Sequence, residues 1–164
     1  MSFDPRKPFS RVRILNNKSG LYLGLEGKED NWSGDDTSLA IRQLDSSHPD
    51  LESPQVWSII QYRPAGWIML NQFSMKVACI RDRSTDNGAT AIQYHTEGLS
   101  FQQWNFVQQD NQTWLIQNLH SNRFIGPQGR SVQENHYVIQ WNDQSGDDTY
   151  QAWTFQEVVI PAPL

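Results

Sequence analysis

Apolar and polar residues alternate along this chain in short runs, RVRIL, WSIIQY, GWIML, AIQYH, WNFVQQ, TWLIQN and YVIQW, separated by clusters of Gly, Asn, Asp and Pro. Alternation sends successive side chains to opposite faces of a strand, and the clusters supply the turns. Apolar stripes at the helical period are hard to find. The pattern predicts an all-β chain.

The runs recur at a long period. Gln-x-Trp appears as Gln55-Val56-Trp57, Gln102-Gln103-Trp104 and Gln151-Ala152-Trp153, with the tryptophans 47 and 49 residues apart. The segments NNKSGLYLG (16–24), NQFSMKVAC (71–79) and NLHSNRFIG (118–126) align without gaps, each with Ser three residues after its first Asn. Trp67 and Trp114 stand four residues before Asn71 and Asn118, and AIRQ, AIQY and VIQW lead into the next Gln-x-Trp. Three copies result, at about 11–60, 61–107 and 108–156, with a tail at 157–164, the whole read as one domain over 1–164. Each copy holds about four short strands, and closure around a pseudo-threefold axis is the natural packing. It would bury the Gln-x-Trp indoles and let the Gln amides satisfy backbone groups at strand ends.

Bulk properties narrow the function. A length of 164 residues supports one domain with a core of its own. The net charge of -5, with only 13 scattered Lys and Arg, argues against nucleic acid and anionic membrane as partners. One cysteine, Cys79 in the apolar context KVACI, allows no internal disulfide and reads as a buried inert thiol. With no apolar leader and no stretch long enough to span a bilayer, the expected location is cytoplasmic, with unconventional release as the other route. Sequons at Asn17, Asn31 and Asn111 matter only along a secretory route.

The three Gln-x-Trp units in register, the Asn-x-x-Ser turns and the period together resemble the ricin B-chain-type lectin family from about residue 11 to 156. That resemblance implies a β-trefoil of three four-stranded lobes that binds galactose-like sugars. In that family each lobe supplies an acid at the end of its first strand, an aromatic about fifteen residues later and an Asn before Gln-x-Trp. Carried onto this chain, the third-lobe aromatic is Trp141, with Gln140, Asn142 and Asp143 as polar neighbours. The second-lobe aromatic is Tyr94, followed by His95. The first lobe has Gln43 there and its site is expected to be lost. The acid positions hold Gly24, Cys79 and Gly126, and the Asn positions hold Pro54, Phe101 and Tyr150, which weakens the case for simple galactose. Asp82, Asp86, Asp143 and Asp147 are the loop carboxylates that could substitute.

No cofactor, metal site or catalytic constellation is expected. The four histidines lack ligand spacing, and SGDDT, at 33–37 and 145–149, reads as a polar loop rather than a calcium site. The leading expectation is a lectin, not an enzyme, recognising glycans or glycoconjugates, with avidity from two sites or from a homodimer. The alternatives are a protease inhibitor acting through projecting loops, LEGKEDNWSGDDTS with an exposed Trp32 and DSSHPDLESP, or a protein-docking module with decayed sugar sites.

Overall fold

A computed structural model of the chain describes residues 3–109, 112–143 and 150–159. Asn111, Asp147, the second SGDDT and most of the tail lie outside them. The described residues form twelve β-strands joined by turns and single-turn 3-10 helices, with no α-helix among them. The strands fall in groups of four: β1 (Phe9–Asn16), β2 (Tyr22–Leu25), β3 (Leu39–Arg42) and β4 (Trp57–Arg63); β5 (Gly66–Asn71), β6 (Val77–Ile80), β7 (Ala91–Tyr94) and β8 (Trp104–Gln108); β9 (Trp114–Asn118), β10 (Phe124–Pro127), β11 (His136–Trp141) and β12 (Trp153–Glu157).

The first and last strand of each group build a closed six-stranded antiparallel barrel, in the order β1, β4, β5, β8, β9, β12 and back to β1. Closure removes the unpaired edges that a sheet of this length would otherwise expose. The remaining strands form hairpins β2–β3, β6–β7 and β10–β11, which touch one another through β3–β11 pairing and the bridges Ser38–Ile92 and Thr90–Ile139. Registers repeat with the sequence: Trp57 pairs with Asn71, Trp104 with Asn118 and Trp153 with Asn16.

The core explains the repeated motifs. Trp57, Trp104 and Trp153 are fully buried, and their indole N–H groups donate to the carbonyls of Leu23, Ala78 and Ile125 at 3.0–3.1 Å. Two positions on, Ile59, Phe106 and Phe155 point into the barrel, where the rings of Phe106 and Phe155 meet edge to face at 5.3 Å. Asn16, Asn71 and Asn118 are buried as well, each amide donating to the carbonyl before a Gln-x-Trp (Tyr150, Pro54 and Phe101) at 2.8–3.0 Å. The Asn oxygens accept from the turn that follows, at Ser19, Ser74 and Ser121 N–H among others. A buried amide is tolerable because both its ends are bonded.

The glutamines do the parallel job one strand away. Gln55 Nε2 donates to Gln43 O and its oxygen accepts from Asp45 N–H; Gln102 Nε2 donates to His95 O and its oxygen accepts from Glu97 and Gly98; Gln151 Nε2 donates to Asn142 O. These bonds pin the loop directly after each hairpin, where the sequence places the aromatic of each candidate site.

Three clefts and a candidate carbohydrate site

Each lobe carries a cleft bounded by the same three positions: the end of the first hairpin strand, the end of the second, and the residue before Gln-x-Trp. In the first lobe these are Leu25, Gln43 and Pro54, around about 190 Å3. In the second they are Cys79 and Ile80, Tyr94 and Phe101, around about 280 Å3. In the third they are Gly126 and Pro127, Trp141 and Tyr150, around about 230 Å3.

The third-lobe cleft runs between two aromatic rings. Trp141 closes β11 with 36% of its surface exposed, and Tyr150 forms the opposite wall at 5%. Gly126 is the floor. A Cβ there would stand 3.1 Å from Tyr150 O and 3.2 Å from both Tyr150 Cδ2 and Gln151 Cγ, so an acid at this position would require Tyr150 and Gln151 to give way by a few tenths of an ångström. Arg130, in the left-handed conformation at φ 57°, places its guanidinium 5.2 Å from the Tyr150 ring. The second lobe repeats this pair: Arg83, φ 55°, lies 4.9 Å from the Phe101 ring.

Trp141 is propped by the preceding lobe. A side chain at Gly88 (φ +89°) would begin 3.5 Å from Trp141 Cζ3. Asn142 N–H donates to Asn87 Oδ1 at 3.0 Å, while Arg123 donates to both Asn142 Oδ1 and Asn87 Oδ1 and, through Nε, to Thr85 O. Asn142 is therefore tied into an inter-lobe knot, and Asp143 is exposed beside it.

The second-lobe cleft is polar where the third is apolar. Asp36, Asp82, Arg83 and Glu97 line it with Tyr94, and Arg83 approaches Glu97 at 3.8 Å. Asp36 comes from the first lobe, whose loop is sewn on by Asp36 N–H to Gln93 O and Gln93 N–H to Thr37 O, both at 2.9 Å. The rings of Tyr94 and His95 stack at 4.2 Å, and His95 is held by Asp35 through its backbone N–H and Nδ1. Lys76 Nζ meets the same carboxylate at 3.0 Å. Desolvation, followed by the charges of Asp35, Glu97 and Asp36, holds the Tyr94 phenol above its ordinary value, so it stays a donor at neutral pH. Burial, with Asp36, Glu97 and Asp35 adding to it, pushes the Cys79 thiol up to about 12, so the thiolate required of a nucleophile does not form.

Two expectations are corrected. Gln140 does not flank a ligand: it is fully buried, donates to Ser84 O and Asp86 O and accepts from the Ser121 hydroxyl. Its counterpart Gln93 clamps Trp32 O and Gly34 O in the same way, so this position serves to hold the loop of the lobe before. Trp32 is not exposed either. It is 7% accessible, packed edge to face on His48 and Phe73. The loop at 45–54 is likewise tied down, by Asp45 to Ser47 and His48 and by Arg13 to Asp50. Both segments nonetheless keep exposed residues, 28–31 and 33–36 in the first and Leu51 and Glu52 in the second.

Of the expected site residues, Trp141 lines the third cleft and Tyr94 the second; Asn142 and Asp143 follow Trp141 outside the lining, His95 stacks on Tyr94 outside it, and Gln140 is buried beneath. Arg83, Arg130 and Asp36 line the clefts without having been singled out, and Phe101 and Tyr150, noted only as replacements at the Asn positions, form cleft walls. A signal for the two arginines and for the role of the two rings existed: Arg-Ser recurs four residues after Cys79 and after Gly126, and an aromatic precedes Gln-x-Trp in those two lobes only. No group of three or more His, Cys, Asp or Glu suited to a metal occurs among the described residues.

A scan of protein-family models finds no match, and a search of curated proteins finds none of significant similarity. Solved structures do match. The designed three-fold symmetric protein ThreeFoil superposes with a TM-score of 0.80 at 21% identity, over 90% of this chain and 99% of that one. The Macrolepiota procera ricin B-like lectin, solved in complex with lactose, gives 0.69 at 17%, over 88% and 93%. The Polyporus squamosus lectin bound to a human-type influenza-binding epitope gives 0.73 at 20%, over 92% of this chain but 50% of that one. The fold is a β-trefoil. The trefoil of this chain thus equals nearly the whole of the first two proteins and half of the third.

Proposed function

We propose that this trefoil binds carbohydrate of galactose type or a related class, chiefly in the third-lobe cleft and secondarily in the second. The observation that carries the reading is Trp141: a half-exposed indole, propped from below by Gly88 and facing a second aromatic wall across an open cleft. Stacking needs such a flat, fixed surface for the apolar face of a pyranose, and hydrogen bonds from rim groups then orient it. The Tyr94 platform repeats the arrangement with a polar surround. The fold shared with lectins solved with lactose and with a sialylated epitope supports the same reading. Clefts that are shallow and small hold one or two sugar rings, and engagement of both, or pairing of two copies, supplies the avidity.

The deciding experiment is a glycan array read with the wild-type protein, Trp141→Ala and Tyr94→Ala. The expected result is a set of retained glycans, largely lost in Trp141→Ala and reduced in Tyr94→Ala. Unchanged retention in both variants would overturn the assignment.

A further inference from the structure

The two clefts that keep an aromatic platform differ in what lies behind it. In the second lobe the recess meets the carboxylates of Asp36, Asp82 and Glu97. In the third, among the described residues, it meets Pro127, Ile139 and the Tyr150 ring over Gly126, with Gly129, Arg130 and Gln151 completing the lining and no carboxylate among them.

Three polar groups at the inner end of the third cleft are already engaged. Tyr150 O accepts from Asn16 Nδ2 at 2.8 Å, Gln151 Nε2 donates to Asn142 O at 2.9 Å, and Ile125 O accepts from the Trp153 indole at 3.1 Å. Pro127 has no N–H to offer. Against Pro127, Ile139 and the Tyr150 ring, on the side of the recess away from the Arg130 guanidinium, a sugar hydroxyl would leave water and gain no partner among the described residues, which costs free energy, whereas a methyl group would gain by the same burial. The loss of the acid position has the same origin. Gly126 and Tyr150 fit each other so closely that the floor is a ring edge where a galactose site would have a carboxylate.

Resting on the carbohydrate reading above, we infer that the third-lobe cleft selects a sugar bearing a methyl-carrying substituent: the acetamido group of a 2-acetamido-2-deoxyhexose or the C6 methyl of a 6-deoxyhexose. The sugar ring lies against Trp141 and the methyl enters the recess lined by Pro127, Ile139 and Tyr150.

The test uses matched pairs in solution with the whole chain: methyl N-acetyl-D-galactosaminide against methyl D-galactoside, and L-fucose against L-galactose, by titration calorimetry and saturation-transfer difference NMR. An apolar pocket distinguishes one methyl or methylene by about tenfold or more. The expected result is that preference in at least one pair, with the strongest saturation transfer on the methyl protons and loss of both in Trp141→Ala. The favoured pair identifies the source of the methyl. Equal affinity within both pairs, still dependent on Trp141, would overturn this inference and leave the carbohydrate reading standing. If no sugar of the set or of the array binds, both fall.

Discussion

The guanidinium of Arg130 lies 5.2 Å from the centre of the Tyr150 ring, and the same relationship joins Arg83 and Phe101 at 4.9 Å one lobe earlier. Both arginines sit in left-handed backbone at the same phase of the repeat, and both rings precede a Gln-x-Trp. Stacking of this kind is worth about 0.5–1 kcal/mol at an accessible site, enough to bias a rotamer toward covering the wall of a cleft. The far walls of these two clefts are therefore built by one rule, while the near walls, Tyr94 and Trp141, and the floors are free to differ.

The turn after each buried Asn contains a residue at positive φ: Gly20 at 72°, Met75 at 58° and Asn122 at 62°. Gly and Asn adopt this region readily, and an L side chain such as Met pays about 1 kcal/mol for it. Met75 is 61% exposed and has little packing to lose. Met75→Gly is expected to stabilise the protein by roughly 0.5–1 kcal/mol, a rise of a few degrees in Tm. A lower Tm by calorimetry would show that the Met75 side chain contributes more than its backbone costs.

Gln103, the middle residue of the second Gln-x-Trp, occupies a position held by Val56 and Ala152 in the other lobes. It is 1% exposed, and neither Oε1 nor Nε2 has a hydrogen-bond partner. Burying an amide without partners costs about 1–3 kcal/mol. Gln103→Met, close in volume and apolar, should raise the denaturant midpoint without changing the m-value. A fall in the midpoint would mean that the amide is satisfied in solution.

His48 carries a pH-dependent share of stability. Its Nδ1 is 2.7 Å from Asp45 Oδ2 and its Nε2 3.4 Å from Glu29 Oε1. The bond to Asp45, then that to Glu29, outweighs desolvation and holds the imidazole above its ordinary value. At Asp45 burial acts upward, but the bonds from Ser47 and His48 leave the carboxyl below its ordinary value. A raised histidine stabilises the fold in full below its unfolded pKa, about 6.5, and that contribution is lost as pH rises through the folded value. A lowered carboxylate stabilises above its unfolded value, about 3.9, and loses this as pH falls. Both act together near pH 5.5. His48→Gln should therefore lower Tm more at about pH 5.5 than at about pH 8.5. The same decrement at both would show that only packing on Trp32 and Phe73 is lost.

Much of this arrangement was legible in the sequence, because each repeated residue does the same job three times. The indoles, the Asn-x-x-Ser turns and the Gln-x-Trp amides are bonded within or just beyond their own repeat, so aligning the repeats exposed them. What escaped were contacts between lobes. Gln140 looks like a neighbour of Trp141 along the chain, yet in the strand it points to the opposite face and clamps Ser84 and Asp86. Asp36 belongs to the first lobe by sequence and to the second cleft by position, and Trp32 looked exposed because its partner Phe73 is distant in the chain. A repeat alignment compares equivalent positions; it does not tell which lobe a loop leans on.

The central claim, that a saccharide lies against Trp141, is read most directly from the indole N–H resonances of the nitrogen-15-labelled protein during titration with the best ligand of the array. The expected result is a saturable shift of the Trp141 resonance while those of Trp57, Trp104 and Trp153, sealed in the barrel and bonded to Leu23, Ala78 and Ile125, stay in place. Saturable binding that leaves the Trp141 resonance unmoved would contradict the account.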